Sequence, residues 1–176
     1  MFGITLRAAG AAAPFWNLVD RASVFERSSS IRALGYPPHI TLTRYPDIDP
    51  DRLLEAAKVF QGEKAISLTL DHIGLFDADP LILWLSPRRD PRLIDLHDKA
   101  HDIIDPALCD PYYRPQQWTP HLTIAMSIPV THRDRALELV DRKIEPFDLT
   151  FDAVECVSWP PVRVLQTRLL AQAGSS

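Results

Sequence analysis

Two short runs of the chain carry the same pair of reactive side chains: Pro38-His39-Ile40-Thr41-Leu42 and Pro120-His121-Leu122-Thr123-Ile124. In an extended strand, alternate side chains point to one face, so each histidine and its threonine look into the same space. An imidazole titrates near neutral pH and serves as a general base or a general acid. Two of them, one neutral and one protonated, can take a proton from water and deliver one to a leaving oxygen. Two hydroxyls beside them can donate to the nonbridging oxygens of a phosphate. A lone His-x-Thr on a strand reads as a structural histidine; its duplication is what points to a site. The predicted chemistry is that of a phosphoester-handling site, once the two strands meet.

The surrounding sequence repeats as well. Tyr36-Pro37-Pro38-His39-Ile40-Thr41 aligns with Trp118-Thr119-Pro120-His121-Leu122-Thr123, and Asp51-Arg52-Leu53-Leu54 with Asp134-Arg135-Ala136-Leu137. Leu68 to Ile73 aligns with Leu149 to Val154, and Pro80 to Leu83 with Pro161 to Val164. Four matches in one order indicate a duplicated unit present twice.

Hydrophobic spacing places strands at Phe2 to Leu6, His39 to Tyr45, Ile66 to Leu75, Leu81 to Leu85, His121 to Ile128, Phe147 to Val157 and Val162 to Leu170. Helices are expected at Pro14 to Leu34, Pro50 to Phe60, Pro91 to Ile104 and Arg133 to Lys143, the third with Leu93, Leu96, Ala100 and Ile103 inward. Gly174 to Ser176 is expected to fray. Hairpin-linked strands pair antiparallel, so the fold class is α+β, with two pseudo-symmetric lobes of antiparallel sheet flanked by helices. No composition shift marks a boundary, and 1–176 reads as a single bilobal domain around a central cleft.

Bulk properties narrow the partner. The chain has 176 residues, 46% hydrophobic and 24% charged, with a formal net charge of −4. An acidic protein is poorly suited to neutralising many phosphates of a duplex, which favours a small nucleotide or an RNA end and disfavours duplex DNA. No run is long and apolar enough for a membrane span. Cys109 and Cys156 form no metal-type or disulfide pattern, and the start lacks a leader, so a cytoplasmic location is expected. No Gly-rich phosphate loop is present, and no cofactor is implied.

The paired motifs, each preceded by proline and followed by an aliphatic residue, resemble the 2H phosphoesterase superfamily, which includes 2′-5′ RNA ligase-like proteins and the plant cyclic phosphodiesterases. The resemblance spans essentially the whole chain. It implies a bilobal fold with the motif strands side by side, His39 and His121 catalytic, and Thr41 and Thr123 binding phosphate. It further implies metal-independent hydrolysis of 2′,3′-cyclic phosphates, with 2′-5′ linked oligonucleotides or ADP-ribose cyclic phosphates as alternative substrates. A nucleotide-binding module with little turnover is the rival from another class.

Around the four motif residues stand weaker candidates. Arg44 follows His39 by five positions, where related motifs often carry arginine, but alternation puts Thr43 and Tyr45 on the His39 face instead. Tyr45 and Ser127 continue the motif faces and are candidates to line the cleft. Trp159, beside two prolines at a hairpin tip, either offers a platform for a nucleobase or anchors its turn. Tyr36 and Trp118 are expected to plug the core beneath each motif strand. His97 and His101 lie four apart, a spacing able to bind metal, but they lack a zinc-protease glutamate and read as a solvated helix face.

Overall fold

The strands join into one seven-stranded sheet in which every pairing is antiparallel. The computed structural model describes residues 1–172; the expected fraying of Gly174 to Ser176 lies outside the described residues. The strands are β1 (Phe2–Ala8), β2 (His39–Tyr45), β3 (Ile66–Phe76), β4 (Leu81–Pro87), β5 (Leu122–Ile128), β6 (Phe147–Ser158) and β7 (Arg163–Leu169). Their order is β2-β1-β6-β3-β4-β5, with β7 on β6. The helices are α1 (Ala13–Ser23), α2 (Ser30–Ala33), α3 (Pro50–Ala56), α4 (Pro91–Lys99) and α5 (Arg133–Val140). An α+β fold results, as the sequence predicts.

The repeat is visible in the packing. Each motif strand lies beside the strand that opens its half, β2 on β1 and β5 on β4. Helix α1 crosses to pack on β5, and α4 crosses to pack on β2, while α3 packs on β1 and α5 on β3. The two halves therefore clasp each other. They also share one sheet, continuous through Leu68↔Leu149 at the β3–β6 junction. Side chains such as Ile4, Leu6, Ile40, Leu53, Phe60 and Leu93 fill the helix-covered side and are almost wholly buried. Each contributes roughly 1.5–3 kcal/mol of transfer free energy.

One sequence match does not survive as a spatial one. The alignment pairs the start of β4 with the start of β7, yet on β6 the place equivalent to β4 is taken by β1. Strand β1 pairs with Phe151–Ser158, and β7 pairs with Ala153–Ser158 from the opposite edge. Antiparallel hairpins can close on either edge of a strand, and the sequence does not distinguish them.

Two helix expectations also change. Pro14 to Leu34 splits into α1 and α2, because Glu26 accepts the Ser30 N–H (2.9 Å) and hydroxyl, and Ser29 caps Arg32. Serine and carboxylate groups there offer the backbone partners outside the helix. Helix α4 stops at Lys99, and the next N–H groups bond three residues back. That tighter turn advances the phase by one residue, so Ile104 is buried and Ile103 is 51% exposed.

Candidate active site

The two motif strands are the end strands of the sheet path, and twist accumulated over six strands curls them toward each other. The Trp118 indole N–H closes the gap by donating to the Thr41 carbonyl at 3.0 Å. His39, Thr41, His121 and Thr123 thereby line one cavity of about 660 Å³. That volume lies in the range of small-molecule sites and accommodates a mononucleotide-sized ligand.

Both imidazoles are held the same way. His39 Nδ1 lies 2.9 Å from the Pro37 carbonyl, and His121 Nδ1 lies 2.7 Å from the Thr119 carbonyl. A carbonyl only accepts, so each Nδ1 carries the proton and each Nε2 is left for the cleft. The proline two residues earlier in one motif and the threonine in the other supply the same carbonyl, so the tautomer is set by local backbone. Burial lowers both histidines from the usual imidazole range, and the carbonyl partners act against it. For His39, the nearby His121 lowers it further and Glu155 raises it.

A β-bulge follows each motif and decides what else faces the cleft. In β2 the register runs Thr5↔Thr41 and then Ile4↔Thr43, leaving Leu42 as the extra residue. In β5 it runs Trp84↔Thr123 and then Leu83↔Ala125, leaving Ile124 extra. An added residue inverts the alternation beyond it. Consequently Arg44 lines the cavity, whereas Tyr45 is fully buried in the core. This corrects the expectation for Tyr45 and removes the objection to Arg44. In β5 the same inversion brings Met126 to the cavity, and a second shift, between Ala125 and Ile128, leaves Ser127 outside it, exposed, its N–H held by Glu26 at 2.7 Å. Ser127 is therefore not a cleft residue.

Arg44 is oriented rather than free. Its guanidinium pairs with Asp110 at 2.5 Å and lies over the Tyr113 ring at 5.3 Å. Trp159 lines the cavity and its ring also packs on Gly3, where a Cβ would come within 2.9 Å of it. The ring that borders the cavity therefore also anchors its turn. Tyr36 is buried beneath His39 as expected, but it also borders the cavity. His97 and His101 are buried, not solvated, and both Nε2–H groups donate to the Tyr113 carbonyl, at 2.9 and 3.0 Å. His97 also stacks on Trp118 at 4.0 Å. The pair fastens the connecting segment that carries Tyr113 into the cleft.

Three aromatic neighbours of His121 were not singled out by the sequence. Phe76 meets His121 edge to face at 5.1 Å, Trp84 lies 6.0 Å from it, and Tyr113 6.3 Å. Gly74 was the available signal: a glycine inside a strand marks close approach, and Trp84 lies directly on it.

A sequence model of the 2′-5′ RNA ligase superfamily matches residues 11–162. The chain belongs to the 2′-5′ RNA ligase superfamily. No curated protein matches it in sequence. Among solved structures, E. coli LigT complexed with 3′-AMP superposes with a TM-score of 0.62 at 17% identity, over 98% of this chain and 100% of that one. A phosphoesterase gives a TM-score of 0.62 at 14% identity, over 97% and 98% of the two chains. TT0787 of Thermus thermophilus gives 0.60 at 12%, over 98% and 99%. At these identities the structures share a fold with this superfamily member, and its site must be argued from its own residues. Among the described residues, no helix is long and apolar enough to cross a membrane.

Proposed function

We propose that the chain is a metal-independent phosphodiesterase that opens 2′,3′-cyclic phosphates of nucleotides or RNA ends, each lobe of a single 1–176 domain contributing one histidine and one threonine. The observation that carries this reading is the matched pair of imidazoles. Both have Nδ1–H spent on a backbone carbonyl, and both border the cavity that Thr41 and Thr123 also line.

The reaction needs two proton transfers. One neutral Nε2 takes a proton from water as its oxygen attacks phosphorus. The other imidazolium gives its Nε2 proton to the ribose oxygen as the phosphorus–oxygen bond breaks, leaving a phosphomonoester and a free ribose hydroxyl. The Thr41 and Thr123 hydroxyls donate to nonbridging oxygens, which remain charged throughout. Proton exchange with solvent then resets the pair. Burial favours the neutral imidazole at both positions, so a base is readily available.

Arg44, 35% exposed at its side chain and braced by Asp110, is placed to meet an anionic group of the substrate. The 3′-AMP, NADP+ and ATP complexes of E. coli LigT support a nucleotide as the occupant. The NADP+ complex also favours, as a second reading, a pyrophosphate-containing substrate such as an ADP-ribose cyclic phosphate. The two cysteines are both buried and free, which suits a reducing cytoplasm.

The test is incubation with 2′,3′-cyclic mononucleotides in EDTA, with products resolved as 2′- or 3′-phosphates. Steady conversion to one phosphomonoester supports the reading. Tight binding without conversion would make the protein a nucleotide-binding module, and loss of activity in EDTA would make it a metal enzyme.

A further inference from the structure

One buried carboxylate behind the site has no part in this scheme. Glu155 on β6 is 4% exposed. Its Oε2 accepts the Tyr36 hydroxyl at 2.6 Å, and its Oε1 accepts the Thr167 hydroxyl of β7 at 2.9 Å. Arg7 Nε of β1 stands 3.6 Å away and is shared with Asp152, which takes the other end of the guanidinium at 3.1 Å. The Tyr36 hydroxyl lies a further 2.8 Å from Thr5 Oγ1. Every group facing the Glu155 carboxylate is a donor, the arrangement an ionised acid requires. Tyr36 in turn lays its ring against the His39 imidazole, centroids 4.8 Å apart and planes at 60°.

The second lobe offers a control within the same molecule. By the repeat offset, Glu155 corresponds to Gly74, and the cross-strand rows agree: Thr41–Thr5–Glu155 in one lobe, Thr123–Trp84–Gly74 in the other. A polar row with a carboxylate thus underlies the first motif, and an indole lying on a glycine underlies the second. Trp118, the counterpart of Tyr36, turns its N–H to the Thr41 carbonyl and its face to His97. His121 is left among Phe76, Trp84 and Tyr113.

We propose that Glu155, acting through Tyr36, is a positioning residue that biases His39 toward the imidazolium, so that His39 is the acid and His121 the base. The inference rests on the cyclic-phosphodiesterase reading and divides its two roles. His121 opposes the charge on His39, and Glu155 is the carboxylate that favours it; Arg7, across from His39 on β1, is turned to Glu155 and Asp152. Burial of the Tyr36 phenol beside that carboxylate pushes its pKa up and keeps it a neutral donor. In an in-line displacement the leaving ribose oxygen then sits on the His39 side and the attacking water on the His121 side.

The experiment is an NMR titration of the imidazoles in the wild type, Glu155→Gln and Tyr36→Phe, with the pH profile of kcat/KM measured alongside. The glutamine keeps an acceptor for Tyr36 and removes the charge. His39 is expected to titrate roughly 0.5–1 pH unit lower in both variants while His121 moves little. The alkaline limb of the rate profile should shift to lower pH by a similar amount. An unmoved His39 in a variant that still melts cooperatively overturns the proposal, as does an equal shift of both histidines. If Glu155→Gln does not fold, Tyr36→Phe decides. If the wild type turns over no cyclic phosphate, the activity reading fails, and the titration still decides whether Glu155 acts on His39.

Discussion

Arg44 and Met126 occupy equivalent points on opposite walls of the cleft, each two residues past the extra residue of a β-bulge. The duplicated scaffold thus presents a cation on one side and a thioether on the other. A symmetric pair of motifs becomes a polar site with a direction, and under the proposed function the substrate's anionic groups lie on the Arg44 side. Arg44→Met is expected to raise KM about tenfold with kcat little changed, since a hydrogen bond to a charged group contributes roughly 1.5–3 kcal/mol. Tyr45→Phe, altering a buried ring on the other face, should leave both constants as they are. Steady-state kinetics on a cyclic mononucleotide measures both.

Trp84 rests on Gly74 so closely that an added Cβ would stand 2.3 Å from its ring. Gly74→Ala should displace the indole, cost roughly 1–3 kcal/mol of stability through overpacking, and lower activity by disturbing the wall beside His121. Thermal unfolding and kcat on the same sample check it. An alanine that leaves both unchanged would mean that Trp84 does not shape the site.

The His97 and His101 pair predicts a stability loss in acid. Burial pulls His97 from 6.5 down to about 4, and His101 is lowered for the same reason. A histidine with a depressed folded-state pKa binds its proton in the unfolded chain first, so stability is full above pH 6.5 and falls as pH drops toward 4. For His97 alone the loss is about 3 kcal/mol over that window. Denaturant unfolding at stepped pH should show it, and a His97→Phe variant should flatten the slope. A variant as acid-sensitive as the wild type would place the effect elsewhere.

The sequence was most legible where chemistry and local structure coincide. His39 with Thr41 and His121 with Thr123 could be read from period-two spacing alone, because each pair lies before its bulge. Arg44, Tyr45 and Ser127 lie beyond a bulge, and neither Leu42 nor Ile124 carries a glycine or proline to announce it. In β2 one inserted residue exchanged the inward and outward sets, and in β5 a second shift, between Ala125 and Ile128, left Ser127 exposed. Phe76 and Tyr113 reach the cleft, and Trp84 the ring of His121, through cross-strand packing and a long connection, which periodicity cannot see. The α+β class followed from the hairpins, whereas the edge on which β7 closes did not. His97 and His101 looked solvated because their partner is a backbone carbonyl sixteen and twelve residues away.

The central claim is that His39 and His121 work as one proton-transfer unit. Its most direct measurement is kcat/KM on a 2′,3′-cyclic mononucleotide for His39→Ala, His121→Ala and the double variant, each verified as folded. The account predicts a loss of about 10²–10⁴ for each single variant and a double variant little worse than either. Near-wild-type activity in either single variant, or losses that multiply in the double, would contradict it.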